Sequence, residues 1–246
     1  MPESSGALGI FGGTFDPPHI AHLRLAIEAR EALHLTGVVF VPAGSPPLRG
    51  SPQASPAQRL AMVERAIADM PDCSVDASEV MASGPSYTVA TLERLRAQHG
   101  AARPLVLLMG ADAFARLPAW QCWRDLFALA HIGVATRPGH TLLPQKVPEG
   151  DPKVVQSKQR AGDGDTAAIP LEAELAAEFS RRQGTATDIA HAPAGRIVPF
   201  AITPLEISAT LIRQRLAQGL SVRHLVSVPV LDYIDSQTIY RTFHGH

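Results

Sequence analysis

The sequence predicts an α/β protein, with a parallel sheet of buried strands and helices over both of its faces. Two observations carry this. Short continuous apolar runs at residues 7–11, 38–41, 105–109 and 132–135 lack the alternation of a half-exposed strand. Between them lie longer segments with helical spacing, bounded by capping residues, prolines and glycines.

In chain order, the run at 7–11 ends in Gly12-Gly13 and reads as a strand and a turn, and residues 20–33 follow with helical periodicity. The run at 38–41, closed by Pro42, is a second strand. Residues 56–70 form a helix with Ser55 as N-cap and Pro56 in the first position. A strand at 74–77 precedes a helix at 87–99, for which Ser86 is the candidate cap. The run at 105–109 is stopped by Gly110, and 132–135 is a further strand. Residues 197–202 read as a strand broken by Pro199, residues 208–218 as a helix closed by Gly219, and 229–235 as a last short helix.

Together these elements describe a Rossmann-like, doubly wound sheet in a single domain, 1–246. Residues 137–196 break the rhythm. They are rich in Gly, Pro, Ala and charge, and only 171–182 look helical. Residues 141–195 are therefore read as a surface insertion before the last strand, with a lid or a homo-oligomer contact as the alternative.

Composition narrows the function classes. With 22 basic and 23 acidic residues the net charge is −1, which argues against a nucleic-acid or membrane partner. Cys73 and Cys122 match no metal or redox spacing and are expected to be reduced thiols. Residues 1–7 carry no basic residue and no long apolar stretch, so the expected location is cytoplasmic.

The segment Gly12-Gly13-Thr14-Phe15-Asp16-Pro17-Pro18-His19-Ile20-Ala21-His22 carries the chemistry. A strand runs into glycines, which let a phosphate approach the backbone, and a helix then starts and offers its N–H groups to an anion. His19 and His22 lie three apart and share one face of the first turn. Three other readings fit parts of this segment. An isolated His-x-x-His is commonly an ordinary pair of helix-start polar residues. A zinc site needs three or four protein ligands, and no partner cluster is visible, so no protein metal site is expected. A dinucleotide fingerprint fails on glycine spacing and on the missing acidic residue after the second strand.

Residues 12–22 resemble the (H/T)-x-G-H region of the nucleotidyltransferase superfamily. Ile207-Ser208-Ala209-Thr210-Leu211-Ile212-Arg213 resembles its I-S-S-T-x-I-R motif. Val41-Pro42 with Pro46-Pro47, Gly84-Pro85-Ser86-Tyr87-Thr88 with Thr91-Leu92, and Gly110-Ala111-Asp112 with Leu117-Pro118 and Trp120 are similar to segments of bacterial nicotinate-mononucleotide adenylyltransferases.

The resemblance implies adenylyl transfer from ATP, entering with Mg²⁺, to nicotinate mononucleotide, giving deamido-NAD and pyrophosphate. It implies catalytic roles for His19, His22 and Arg213. It assigns the ATP phosphates to Gly12, Gly13, Thr14, Phe15, Arg49, Ser208 and Thr210, and the ribose or adenosine to Gly110 and Asp112. Nicotinate falls to Tyr87, Thr88 and Trp120. Three positions depart from the pattern: Ala21 and Ala209 replace a glycine and a serine, and Leu48-Arg49 replaces His-Lys. The alternatives are an adenylyltransferase for nicotinamide mononucleotide or another phosphorylated substrate, and a nucleotide-binding regulator without catalysis.

Overall fold

The computed structural model describes residues 6–48, 50–137, 140–144 and 167–241. The chain runs β1 (Leu8–Gly13), α1 (Ile20–Ala32), β2 (Gly37–Pro42), α2 (Pro56–Ala66), β3 (Cys73–Val75), α3 (Ser78–Met81), α4 (Thr88–His99), β4 (Leu105–Gly110), α5 (Ala111–Ala115) and a 3₁₀ turn (Leu117–Ala119). It continues through α6 (Leu126–Leu129), β5 (His131–Thr136), β6 (His140–Pro144), β7 (Ala167–Leu171), α7 (Ala173–Arg182), α8 (Ala186–Ile189), β8 (Ile197–Ala201), α9 (Ala209–Ala217) and α10 (Val228–Ser236).

Six strands form one parallel sheet in the order β3-β2-β1-β4-β5-β8. Alternate residues of each central strand enter different cores, because successive side chains point to opposite faces. Phe11, Val38, Phe40, Val106 and Leu108 join the core under α1, α2, α9 and α10. Leu8, Ile10, Val39, Val41, Leu105 and Leu107 join the core under α4, α5, α6 and α7. This two-sided burial explains why the strands read as unbroken apolar runs.

The chain winds outward from β1 to β3, then returns to place β4 on the other side of β1. The switch point therefore lies between β1 and β4, the position where ligands of such sheets bind at the carboxyl ends. The local geometry opens there as well. The β1–β4 ladder ends at Ile10↔Leu107, while β1 runs on to Gly13 and β4 to Gly110.

Several expectations are refined. Pro199 does not break its strand. It pairs with Val134 from the outermost strand of the sheet, whose other side carries, among the described residues, only an isolated bridge at Ile197, so no partner there needs the missing N–H of Pro199. The helix expected to reach residue 70 ends at Ala66, with Ile67 as its C-cap. Ser55 caps that helix in the expected way, accepting from the Gln58 N–H at 3.2 Å. Ser86 does not cap α4; its hydroxyl is engaged elsewhere.

In the segment 141–195, β6 and β7 form a separate two-stranded parallel sheet. From Leu171 onward the chain contributes Leu171, Leu175, Ala176, Phe179 and Ile189 to the main cores. Pro138, Gly139 and the three lysines, Lys146, Lys153 and Lys158, lie outside the described residues, as does Arg49. Among the described residues no helix is long and apolar enough to cross a membrane.

Candidate active site

His19 is the N-cap residue of α1 and His22 its third helical residue. Their rings stack at a centroid distance of 3.7 Å and an angle of 20°. The His19 backbone N–H donates to His22 Nδ1 at 3.2 Å. That bond fixes the tautomer, because a nitrogen that accepts holds no proton and Nε2 must carry it. His19 is 6% exposed, and its Nδ1 has no hydrogen-bond partner among the described residues. Burial lowers its pKa to about 4, so the ring is neutral at physiological pH. The first N–H of α1, that of Ile20, donates to the Leu225 carbonyl.

The glycine turn before this pair is shaped for backbone approach. A side chain on Gly12 would meet nothing within 4 Å, so packing does not require the glycine and the turn is open on that side. Thr14 is half-buried and its carbonyl accepts from Arg59. Phe15 has a left-handed φ of 50° and is 2% exposed. Its ring lies edge-on to Phe11 and to His22 at 5.6 and 5.1 Å. Only its backbone can therefore serve a phosphate, while its ring packs edge-on to His22.

The late motif arrives at the same edge. Ser208 is the N-cap of α9 and accepts from the Leu211 N–H at 3.1 Å. Arg213 Nη2 donates to Thr210 Oγ1, and its Nη1 donates to the Asp16 carbonyl at 2.7 Å. This last bond spans 197 residues of sequence and puts Arg213 beside the turn that leads to His19. The loop before α9 is pinned by Glu28 of α1, whose carboxylate accepts from the Thr203 N–H at 2.6 Å and the Thr203 hydroxyl at 2.7 Å. Burial opposes ionisation of Glu28, but those bonds and Arg24 outweigh it and hold its pKa below the ordinary carboxylate range.

The predicted nicotinate residues occupy a neighbouring position. Tyr87 is the N-cap of α4 and is exposed, with Thr88 the first residue of the helix. Among the described residues no side chain caps α4, and none of its own first-turn residues is acidic, while the Thr91 hydroxyl in that turn donates to the Glu79 carboxylate. Ser86 anchors this helix start to the loop after β2. Its N–H donates to the Ser45 carbonyl at 2.9 Å, and its hydroxyl accepts from the Gly44 N–H at 2.9 Å. A Cβ on Gly44 would stand 2.0 Å from the Glu79 carbonyl, so glycine is required at this close approach. Gly110 ends β4 and precedes α5, in whose first turn Asp112 is exposed. Trp120 is half-buried against the core under α4.

Two residues passed over in the sequence hold these parts together. Arg59, 1% exposed, donates to the Thr14 and Gly44 carbonyls, both at 2.8 Å, and to the Ala54 carbonyl at 3.3 Å. It thereby ties the turn after β1 to the turn after β2. Its signal was present in the sequence: it shares the i, i+3, i+4, i+7 stripe with Met62, Val63 and Ala66, where an unpaired charge is not expected. Asp16, 5% exposed, accepts from the Gln53 and Ala54 N–H groups. Among the described residues no group of three or more His, Cys, Asp or Glu is arranged to hold a metal.

A carboxyl edge that offers a glycine turn, N–H donors and an arginine suits a chain of phosphates, which points to the nucleotidyl-transferring class of α/β proteins. The cytidylyltransferase-like family model matches residues 10–215. The chain is 48% identical over 238 residues to a Dechloromonas aromatica protein named "Probable nicotinate-nucleotide adenylyltransferase", covering 96% of this chain and 99% of that one. A Halorhodospira halophila protein of the same name is 42% identical, with 92% and 91% covered. The fold is similar to that of the Plasmodium falciparum nicotinic acid mononucleotide adenylyltransferase complexed with NaAD, at a TM-score of 0.63 and 13% identity, with 96% and 97% covered. The chain belongs to the cytidylyltransferase-like family and, within it, to the nicotinate-nucleotide adenylyltransferases.

Proposed function

We propose that the protein transfers the adenylyl group of ATP to the phosphate of nicotinate mononucleotide, releasing pyrophosphate and forming deamido-NAD. The observation that carries this is the His19–His22 stack at the start of α1, with the His22 tautomer fixed and Arg213 bonded to the adjoining turn.

In the proposed step a mononucleotide phosphate oxygen attacks the α-phosphorus of ATP in line, and the bond to the bridging oxygen of the β-phosphate breaks. The attacking phosphate is already ionised, so no general base is needed. What remains is positioning and stabilisation of the charge that grows on the bridging oxygen and the equatorial oxygens. His22 offers its Nε2 proton to these oxygens. His19 is neutral and acts by hydrogen bonding, not as a cation. Arg213, Ser208, Thr210 and the backbone of Gly12 to Phe15 hold the triphosphate, with Arg49 assigned to the same anion. Mg²⁺ enters on ATP as part of the substrate, held by phosphates and water.

The uncapped start of α4 supports the acid over the amide. A helix N-terminus with no side-chain cap and no acid in its first turn is complementary to a carboxylate, while an amide would direct its own N–H donors at those donors. Trp120 is assigned to stack on the pyridine ring, and Gly110 and Asp112 to the ribose or adenosine. The test is pyrophosphate release from purified protein supplied with Mg²⁺-ATP and nicotinate mononucleotide. ATP binding without any release refutes the enzymatic reading and leaves the regulator.

A further inference from the structure

A largely buried polar cluster lies beside the turn after β1, and its last member comes from the C-terminal segment. The Asp16 carboxylate accepts from the Gln53 N–H at 2.9 Å on Oδ2 and from the Ala54 N–H at 3.0 Å on Oδ1. The Tyr240 hydroxyl donates to Oδ1 at 2.6 Å, across 224 residues of sequence. Arg213 Nη1 stands 3.7 Å from Asp16 Oδ2, yet its hydrogen bond goes to the Asp16 main-chain carbonyl. Arg59 is the other cation of the cluster, and all three of its donor nitrogens are committed to main-chain carbonyls.

We infer that Tyr240 is a positioning residue for adenylyl transfer: it anchors Oδ1 of the Asp16 carboxylate, so that Oδ2 does not swing onto Arg213 and the guanidinium stays aimed at the triphosphate. A carboxylate offers about four acceptor sites, and buried ones demand donors. Two are filled by backbone N–H groups that the start of α2 holds in place. Tyr240 supplies the third and shortest bond. Once it is removed, the carboxylate is free to turn, and the Arg213 guanidinium, 3.7 Å from Oδ2, has less than an ångström to close to reach ordinary bonding distance. Arg59 has no freedom to answer, because Thr14, Gly44 and Ala54 hold it. The phenol suits this task. Burial, together with its bond to Asp16, raises its pKa far above the ordinary tyrosine value, so it remains a donor at physiological pH.

This rests on the adenylyl-transfer reading, so the test pairs kinetics with a binding measurement that needs no turnover. In Tyr240→Phe the ring stays and only the hydroxyl is lost. KM for ATP is expected to rise about tenfold, the size of one lost charge-assisted hydrogen bond. KM for nicotinate mononucleotide should stay within about twofold, because that substrate is assigned to the α4 side. Affinity for inorganic pyrophosphate, measured by calorimetry, should fall by a similar factor whether or not the protein turns over. In an Arg213→Ala background, Tyr240→Phe should add nothing further, since its effect runs through that arginine. Equal rises in both KM values, an unchanged pyrophosphate affinity, or full additivity with Arg213→Ala would overturn the inference. Absence of catalysis in the wild type, with the pyrophosphate effect intact, would instead count against the adenylyl-transfer reading alone.

Discussion

Burying His19 neutral has a thermodynamic cost that pH exposes. The unfolded chain titrates this imidazole near 6.5, while burial lowers the folded value to about 4. Between those values the unfolded state binds more protons than the folded one, so stability is fully present above pH 6.5 and is lost as pH falls through the window. A separation of 2.5 units, at 1.36 kcal/mol each, amounts to about 3 kcal/mol, of which about 2.5 kcal/mol is already lost at pH 4.5. The comparison is His19→Asn, which keeps a favoured N-cap residue but has no group titrating in this range. Urea unfolding of both proteins between pH 4.5 and 8 should give difference curves that are flat above pH 7. Below it, the wild type should lose ground to the variant by the stated amount. Other buried groups, such as His131, cancel because both proteins contain them. Parallel curves over the whole range would refute the claim that the folded protein holds His19 neutral.

His22→Ala should lower kcat by roughly 10²–10³, the usual loss for one positioned donor at a developing charge, with little change in mononucleotide binding; near-normal turnover would remove the assigned role. Nicotinate mononucleotide should be preferred over the amide in kcat/KM by up to ~10⁴, the range available to a site built around matched hydrogen bonds. Trp120→Ala should weaken both substrates and leave that ratio intact, because the two pyridine rings present similar faces to an indole; equal efficiency of acid and amide in the wild type would sink the nicotinate assignment.

The sheet was legible because it is buried on both faces. Each central strand has to be apolar at every position, and runs such as 38–41 and 105–109 stand out for that reason. The early and late motifs were legible as helix starts preceded by glycine or hydroxyl residues. Strand order was not written locally; it emerges from the return of β4 to the side of β1, a long-range choice. The same holds for the cluster beside the turn after β1. Nothing near Tyr240 marks it as the partner of Asp16, and the pairing arises only when α10 packs against α2 and carries the C-terminal segment with it. Ser86 was misassigned as a cap because its neighbourhood suits one; tertiary structure turned its hydroxyl toward Gly44 and Ser45 instead. Trp120 and Asp112 rest on the resemblance, and the geometry adds only their placement beyond the carboxyl end of β4.

The net charge of −1 says nothing of a polyanion site, yet the distribution of acids does. Helices usually favour Asp or Glu in the first turn, where the dipole welcomes negative charge. Helices α1, α4 and α9, which carry the phosphate and nicotinate assignments, have none there. An acid at those places would occupy the field meant for the substrate. By contrast α8, which begins beside the amino end of β8, follows the ordinary rule with Asp188. At the carboxyl edge, α5 does carry an acid in its first turn, Asp112, and this helix is assigned to sugar hydroxyls, for which a carboxylate is a good acceptor, whereas it would repel a phosphate. Asp16 is a buried acid beside this region, and its carboxylate accepts from Gln53, Ala54 and Tyr240. The first turns of α1, α4 and α9 hold no acid of their own, as those of α2, α6 and α10 do not, and with Asp16 and Glu79 engaged by neighbouring donors a nearly neutral chain can still focus positive potential where two nucleotide anions have to meet.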